Sequence, residues 1–200
     1  MTDNQARLIL LLGFAVVMPI GIYHRFKAHT GERLDRRQEG WPILLSLRPL
    51  AAACMVGLLA FLIKPSSMTW ASMHLPGWAR WVGVVFGIVA AALIIWTFHT
   101  LGHNLTDTVV TRRSAMLVTS GPYRWVRHPF YLAFALAVIA NSLVTSNWFL
   151  AVTGTCAFLA IVARTRIEER NLVARFGGDY EEYMARTGRF LPWLGRRRDT

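Results

Sequence analysis

The sequence is poor in charge and in cysteine. Only 16% of its 200 residues are charged, and both cysteines, Cys54 and Cys156, lie inside apolar runs. Cysteines in such positions indicate neither a disulfide framework nor a zinc site. We expect both to be small residues packed in the core. Hydrophobic residues make up 54% of the chain, which exceeds what a soluble core needs. The composition therefore predicts one all-α integral membrane domain over residues 1–200.

Five apolar segments approach the length of about 20 residues that a spanning helix requires. The first lacks a short apolar core followed by a small-residue cleavage site, so we expect a retained span and not a signal peptide. The last two form a tight helical hairpin. Residues 1–99 would hold three spans, and 100–200 a polar connector (100–127), the hairpin and a polar tail (165–200). The predicted spans are 6–23, 41–63, 77–99, 129–144 and 147–164.

Basic residues are distributed unevenly along this pattern. Of the 22 Lys and Arg residues, 18 fall in the first loop, the connector, the end of the last span and the tail, which would share one side of the membrane. The positive-inside rule then predicts an outside N-terminus and a cytoplasmic C-terminus. Because the basic residues lie between apolar runs, topology explains the net charge of +11 better than nucleic-acid binding does.

Two polar clusters would meet at the cytoplasmic end of the hairpin. In "GPYRWVRHPFY" (121–131), Pro129 suits the first position of helix four with His128 as its cap. The helix dipole, free amides, Arg124, Arg127 and His128 would form a cationic pocket for an anionic group. Glu168 and Glu169 lie at the matching end of helix five, and carboxylates there are functional candidates. One of them could instead pair with a neighbouring arginine on its own helix.

The tail has a pattern of its own. Helix five is expected to continue past the membrane until Gly177 and Gly178 stop it. Asp179 and Glu182 resemble a capping box for a short helix that ends at Gly188. Together with the basic connector, this tail would act as a lid over the cytoplasmic cavity.

These motifs together resemble those of the isoprenylcysteine carboxyl methyltransferase family and related membrane phospholipid methyltransferases. The resemblance spans about residues 96 to 193 and rests on "LGHNLT", "LVTSGPYRWVRHPFY" and "EERNLVARFGGDYEEYMARTGRFLPW". It implies S-adenosylmethionine as cofactor and a lipophilic acceptor, free or lipidated, that enters from the bilayer. Two positions depart from the family pattern, with Ala115 in place of a histidine and Ala133 in place of a glycine.

The resemblance also implies roles for individual residues. Arg127 would orient the acceptor, and Glu169 would act with it at the reaction centre. Transfer from a sulfonium to a carboxylate needs alignment but no general base and no metal. Which of the two glutamates faces the pocket stays open. The implied cofactor-binding residues are Leu117, Val118, Tyr123, His128, Pro129, Tyr131, Glu168 and Glu169.

Alternatives remain at several positions. Arg48, inside the second span, could face the pocket or extend to the interface. His99 and His103 are spaced i, i+4, but without a third ligand of suitable spacing a capping role is favoured over a metal. A membrane reductase using NADPH would need basic residues where the two glutamates stand. A non-catalytic scaffold would leave the polar cavity unexplained.

Overall fold

The computed structural model describes residues 1–28, 41–102 and 116–192, and over 41–46 it describes the backbone alone. Six α-helices and two short 3-10 helices make up these stretches. The 3-10 helices are Pro65–Ala71 and Gly121–Arg124. The α-helices are α1 (Asp3–Ala28), α2 (Trp41–Ile63), α3 (Gly77–Leu101), α4 (Pro129–Thr145), α5 (Trp148–Phe176) and α6 (Gly178–Arg186).

The described residues confirm the prediction of an all-α integral membrane protein. They contain two isolated β-bridges but no β-strand. Three helical segments are long and apolar enough to span a bilayer, namely Asp3–Lys27, Gly77–Leu101 and Trp148–Phe176. Leu47–Ile63 and Pro129–Thr145 are shorter apolar helices. Each of the five predicted spans lies within one of the helices α1 to α5. The one exception is Asn147, the first residue of the fifth predicted span, which lies one residue before α5.

The helices pack in the spatial order α1, α3, α4, α5, α2, and α3 with α4 forms the largest contact. Large apolar side chains on α1 and α3 are exposed, among them Leu12 and Ile88. A helix that is apolar on all sides and still exposed is stable only in a lipid environment. This outer surface is therefore expected to face acyl chains.

At Gly83, α3 lies in tight contact with the end of α4. A Cβ at this position would lie 2.8 Å from Leu143 Cβ and 2.9 Å from the Val144 backbone nitrogen. Backbone cannot move aside as a flexible side chain can, so this glycine sets the distance between the two helices.

We expect Gly83→Ala to destabilise the protein by about 1–3 kcal/mol, because overpacking forces the helices apart. Gly13→Ala is the matched control, since a Cβ at that position would have nothing within 4 Å. Alanine there should be neutral or stabilise by about 0.5–1 kcal/mol through its helix propensity. Thermal unfolding of both variants in one detergent measures the difference, and equal midpoints would contradict this account of the contact.

The end of the bundle farthest from His128 is held together by Arg80. Its guanidinium contacts Asp3 Oδ1 at 2.8 Å and donates to Ser146 Oγ at 2.8 Å and to the Met1 carbonyl at 3.2 Å. Asn147 caps α5 by accepting from the Leu150 amide. These contacts connect α1, α3 and the turn of the α4–α5 hairpin.

Two details of the tail differ from the prediction. α5 does continue to Phe176, but the capping box was wrong, because Gly177 is the N-cap of α6 and makes no side-chain cap. Glu182 instead pairs with Arg186 at 3.5 Å on the exposed side of α6. The short helix ends at Arg186, before Gly188, and Thr187 follows in extended conformation.

Candidate functional site

The turn that precedes α4 is anchored against the end of α3. Gly121 has φ +57°, a value that side chains other than glycine rarely adopt, and a Cβ there would collide with Thr100. Gly121 begins the 3-10 turn Gly121–Arg124, in which Pro122 is fully buried. This turn delivers Tyr123, Arg127 and His128 to the start of α4.

The tail pairs with this segment through the backbone. Val126 and Gly188 form a parallel bridge, in which the Arg127 amide donates to the Gly188 carbonyl at 2.8 Å. The His128 amide donates to the Arg189 carbonyl at 3.1 Å. His128 does occupy the N-cap position before Pro129, but without a side-chain capping bond. The tail therefore uses the backbone amides of Arg127 and His128.

Glu169 is the centre of the charged cluster. Its side chain is only 8% exposed, and its Oε1 accepts from Arg127 Nε at 3.0 Å. The same carboxylate forms an ion pair with Arg189, and His128 Nε2 lies 3.3 Å from Oε1. A buried carboxylate needs such compensation. Glu169 thus pairs across elements, with the α4 segment and with the tail.

Glu168 faces α4 as well, through Tyr131. The Tyr131 hydroxyl donates to Glu168 Oε2 at 2.6 Å, and the tyrosine ring stacks on His128 with centroids 5.1 Å apart. The Glu168 side chain is 25% exposed, more than that of Glu169. The two carboxylates therefore differ, because Glu169 is buried among cations whereas Glu168 is partly open and held by a phenol.

Tyr183 of α6 and Tyr123 of the 3-10 turn complete the site. Tyr183 is buried, and its hydroxyl donates to the Tyr123 carbonyl at 2.7 Å. Burial raises the pKa of Tyr183 to about 12, although Arg127 acts in the opposite direction. Burial, followed by the nearby Glu168 carboxylate, also raises the pKa of Tyr123. Both phenols therefore stay protonated and can act as donors at neutral pH.

Arg127 joins the site to the tail. Besides Glu169, its guanidinium donates to the Met184 carbonyl at 3.1 Å and to the Thr187 carbonyl. A side chain that is 11% exposed and contacts three acceptors is held in one orientation. These contacts place Arg127 between α5, α6 and the extended tail.

The fold brings some of the sequence-predicted residues into contact and leaves others apart. Arg127, His128, Tyr131, Glu168 and Glu169 form one contact network. Pro129 is buried at the first position of α4, while Leu117 and Val118 are half-buried in the approach to the turn. Arg124 is exposed with its guanidinium over the Trp125 ring, and Arg48 is exposed on α2. Outside the described residues lie His103 and residues 104–106 of "LGHNLT", Ala115 and Trp193.

Sequence reasoning missed Arg189 as a member of this cluster. Arg189 was counted only as a basic residue of the tail, and nothing local in "TGRFLPW" indicates that it reaches Glu169. Arg164 lies close enough to Tyr131 to interact electrostatically with it. It lies one turn before Glu168 on α5, among the neighbouring arginines that the sequence offered as alternative partners of one glutamate.

Within the described stretches, no group of three or more His, Cys, Asp or Glu side chains could hold a metal ion. His99 Nδ1 instead lies 2.9 Å from the Ile95 carbonyl, and its ring contacts His24.

Comparison with known proteins gives a family match over this region. Residues 81–174 match the model of the isoprenylcysteine carboxyl methyltransferase family. The chain is 29% identical over 200 aligned residues to methanethiol S-methyltransferase 1 of Bradyrhizobium diazoefficiens, covering 93% of this chain. It is 32% identical over 99 residues to the protein-S-isoprenylcysteine O-methyltransferase of Saccharomyces cerevisiae, covering 48% of this chain. The human protein-S-isoprenylcysteine O-methyltransferase is 28% identical over 128 residues, covering 62% of this chain.

These relatives are longer than the matched region. The alignments cover 66% of the Bradyrhizobium protein, 41% of the yeast protein and 45% of the human protein.

Proposed function

We propose that this chain, which belongs to the isoprenylcysteine carboxyl methyltransferase family, is a membrane methyltransferase that uses S-adenosylmethionine and acts on a lipophilic acceptor. The observation that carries the proposal is the buried Glu169 carboxylate, surrounded by Arg127, His128 and Arg189 beside the Tyr131–Glu168 pair. Acidic and cationic groups are thus concentrated at one end of an otherwise apolar bundle.

The chemistry of these side chains fits the proposed cofactor. S-adenosylmethionine supplies a methyl group that its sulfonium has already activated, together with an ammonium, a carboxylate and two ribose hydroxyls. Glu169 and Glu168 can hold the cationic and hydroxyl parts, and the arginines can hold the carboxylate. His128 and Tyr131 stack with a 4° angle between their planes, which makes a flat wall of the site.

The residues would contribute chiefly by positioning. An in-line displacement requires the donor carbon and the acceptor atom to be aligned and water to be excluded. Arg127, with three acceptors across α5, α6 and the tail, would hold the lid in place, so its contacts support a positioning role. The tail that covers the site through the Val126–Gly188 bridge would exclude water.

Orientation follows from the distribution of charge. With the basic connector and tail in the cytoplasm and the N-terminus outside, the soluble cofactor would enter from the cytoplasm. The acceptor would enter sideways from the bilayer, between helices whose outer surfaces are apolar.

Two acceptor chemistries are supported by different relatives. The yeast and human relatives are named as O-methyltransferases of isoprenylcysteine, which favours a carboxylate. The relative that aligns with 93% of this chain is named as a methanethiol S-methyltransferase, which favours a thiol. A carboxylate needs no base, whereas a thiol must first lose its proton. The carboxylate remains our first proposal because the described site offers several cations.

Calorimetric titration of the purified protein in detergent tests the cofactor. We expect saturable binding of S-adenosylmethionine and none of NADPH, and binding of NADPH alone would overturn the proposal in favour of a reductase. An S-farnesylated cysteine analogue and an alkyl thiol, each with labelled cofactor, then separate the acceptors. A base-labile labelled ester identifies the carboxylate, and a base-stable labelled thioether identifies the thiol.

A further inference from the structure

A groove with a volume of about 470 Å³ lies beside the methyltransferase site, along α5. It is bounded by α5, by Met184 of α6 and by Arg189 of the tail. The lining residues are Arg166, Glu169, Arg170, Val173, Ala174, Met184 and Arg189. Glu169 is thus shared between this groove and the methyltransferase site.

The groove carries unbalanced positive charge. Arg166 and Arg170 are exposed and lie one helical turn apart, on the same face of α5. Within the described part of the chain neither makes an ion pair, whereas Glu169, the acid of the lining, is already paired with Arg127 and Arg189. A guest for this groove should therefore be anionic.

The position along α5 indicates the depth of the groove in the membrane. The apolar part of α5 runs from Trp148 to Ala163, about 16 residues or roughly 24 Å of helix. The hydrocarbon core of a bilayer is about 30 Å thick. Arg166 therefore lies close to where the hydrocarbon ends, and Arg170 lies one turn farther out. Lipid phosphates occupy this level.

We propose that this groove binds the phosphate of an anionic membrane lipid. The Arg166 and Arg170 guanidinium groups would hold the phosphate oxygens in forked geometry, for which arginine is well suited. The acyl chains would stay in the bilayer along the apolar part of α5. Val173, Ala174 and Met184 would contact the rest of the head group. The groove shares Glu169 and Arg189 with the proposed methyltransferase site, but phosphate binding by Arg166 and Arg170 does not require methyl transfer.

Lipid binding can be measured without any activity. The full chain is exchanged into a zwitterionic detergent, and phosphatidylglycerol or phosphatidylcholine is titrated while native mass spectrometry counts the bound lipids. We expect phosphatidylglycerol to bind more tightly. We also expect the double variant Arg166→Gln/Arg170→Gln to lose about ten-fold in that affinity, since each basic residue at a membrane surface contributes to anionic-lipid binding.

The control variant is Arg175→Gln/Arg186→Gln, which removes the same charge from two exposed residues outside the groove lining. It should keep the preference for phosphatidylglycerol. An equal loss in both double variants would mean that net charge alone attracts the lipid and would overturn the proposal. So would an unchanged affinity in Arg166→Gln/Arg170→Gln.

A second titration separates a lipid from a soluble anion. Inorganic phosphate and glycerol 3-phosphate are added in place of the lipid, and the thermal midpoint is recorded. Stabilisation by these at the lipid's concentration, lost in Arg166→Gln/Arg170→Gln, would assign the groove to a soluble phosphate and overturn the lipid assignment. No stabilisation, together with selective lipid binding, supports it.

Discussion

Replacing Glu169 by glutamine is expected to weaken S-adenosylmethionine binding by about 10–100-fold. The substitution keeps the shape of the side chain but removes the charge that Arg127 and Arg189 share, and hydrogen bonds to charged groups contribute about 1.5–3 kcal/mol. The largely buried guanidinium of Arg127 then lacks its anion, so the thermal midpoint should also fall. Calorimetry gives the affinity, and thermal unfolding gives the stability.

Glu182→Gln is the matched control for this prediction. Glu182 is 69% exposed and, among the described residues, pairs with Arg186 on the surface of α6. The Glu182→Gln variant should bind the cofactor like the wild type, because exposed ion pairs contribute little free energy. If Glu169→Gln fails to fold, Glu169→Asp keeps the charge on a shorter side chain, and we expect a folded protein with reduced affinity. Wild-type affinity in either folded Glu169 variant would contradict the site.

Removal of the tail after Arg175 should abolish cofactor binding altogether. The truncation deletes α6 and the extended segment, and with them the Tyr183 hydroxyl, the carbonyl acceptors of Arg127 and the Arg189 ion pair. The bundle of α1 to α5 should still fold, because its packing does not depend on those groups. Calorimetry and a thermal unfolding curve on the truncated protein test both halves of this expectation.

A shorter truncation after Pro192 provides the comparison. It leaves every described tail contact in place, so we expect cofactor affinity within about two-fold of the full chain, since no described hydrogen bond is lost. Saturable binding after truncation at Arg175 would show that the tail is no part of the pocket. Equal loss of binding in both truncations would instead assign the effect to residues 193–200.

The meeting of the two polar clusters could be predicted because it follows from local connectivity. A tight turn between α4 and α5 forces the helices to run side by side, so residues near His128 must meet those near Glu169. The observed contacts between Tyr131 and Glu168, and between Arg127 and Glu169, confirm that expectation. Their roles in binding or catalysis remain predictions.

The partner of Glu169 in the tail could not be predicted in the same way. Arg189 reaches it because Val126 and Gly188, about 60 residues apart, form a backbone bridge that no local pattern encodes. The prediction of how α6 begins was wrong for a related reason. Asp179 and Glu182 have the spacing of a capping box, yet Gly177 is both the C-cap of α5 and the N-cap of α6. The tertiary arrangement of α5 and α6 therefore overrides the local capping preference of these residues.

The Arg80 contacts make the two ends of the bundle mechanically unequal. At the end far from His128, one half-buried guanidinium holds the start of α1, the start of α3 and the hairpin turn together. At the opposite end, direct contacts between the α4 segment and α5 are supplemented by contacts with the tail, which follows the last span. If helices must separate to admit a lipophilic acceptor, we expect them to pivot at the Arg80 end. Their separation is then largest at the end of the bundle where the charged groups around Glu169 lie.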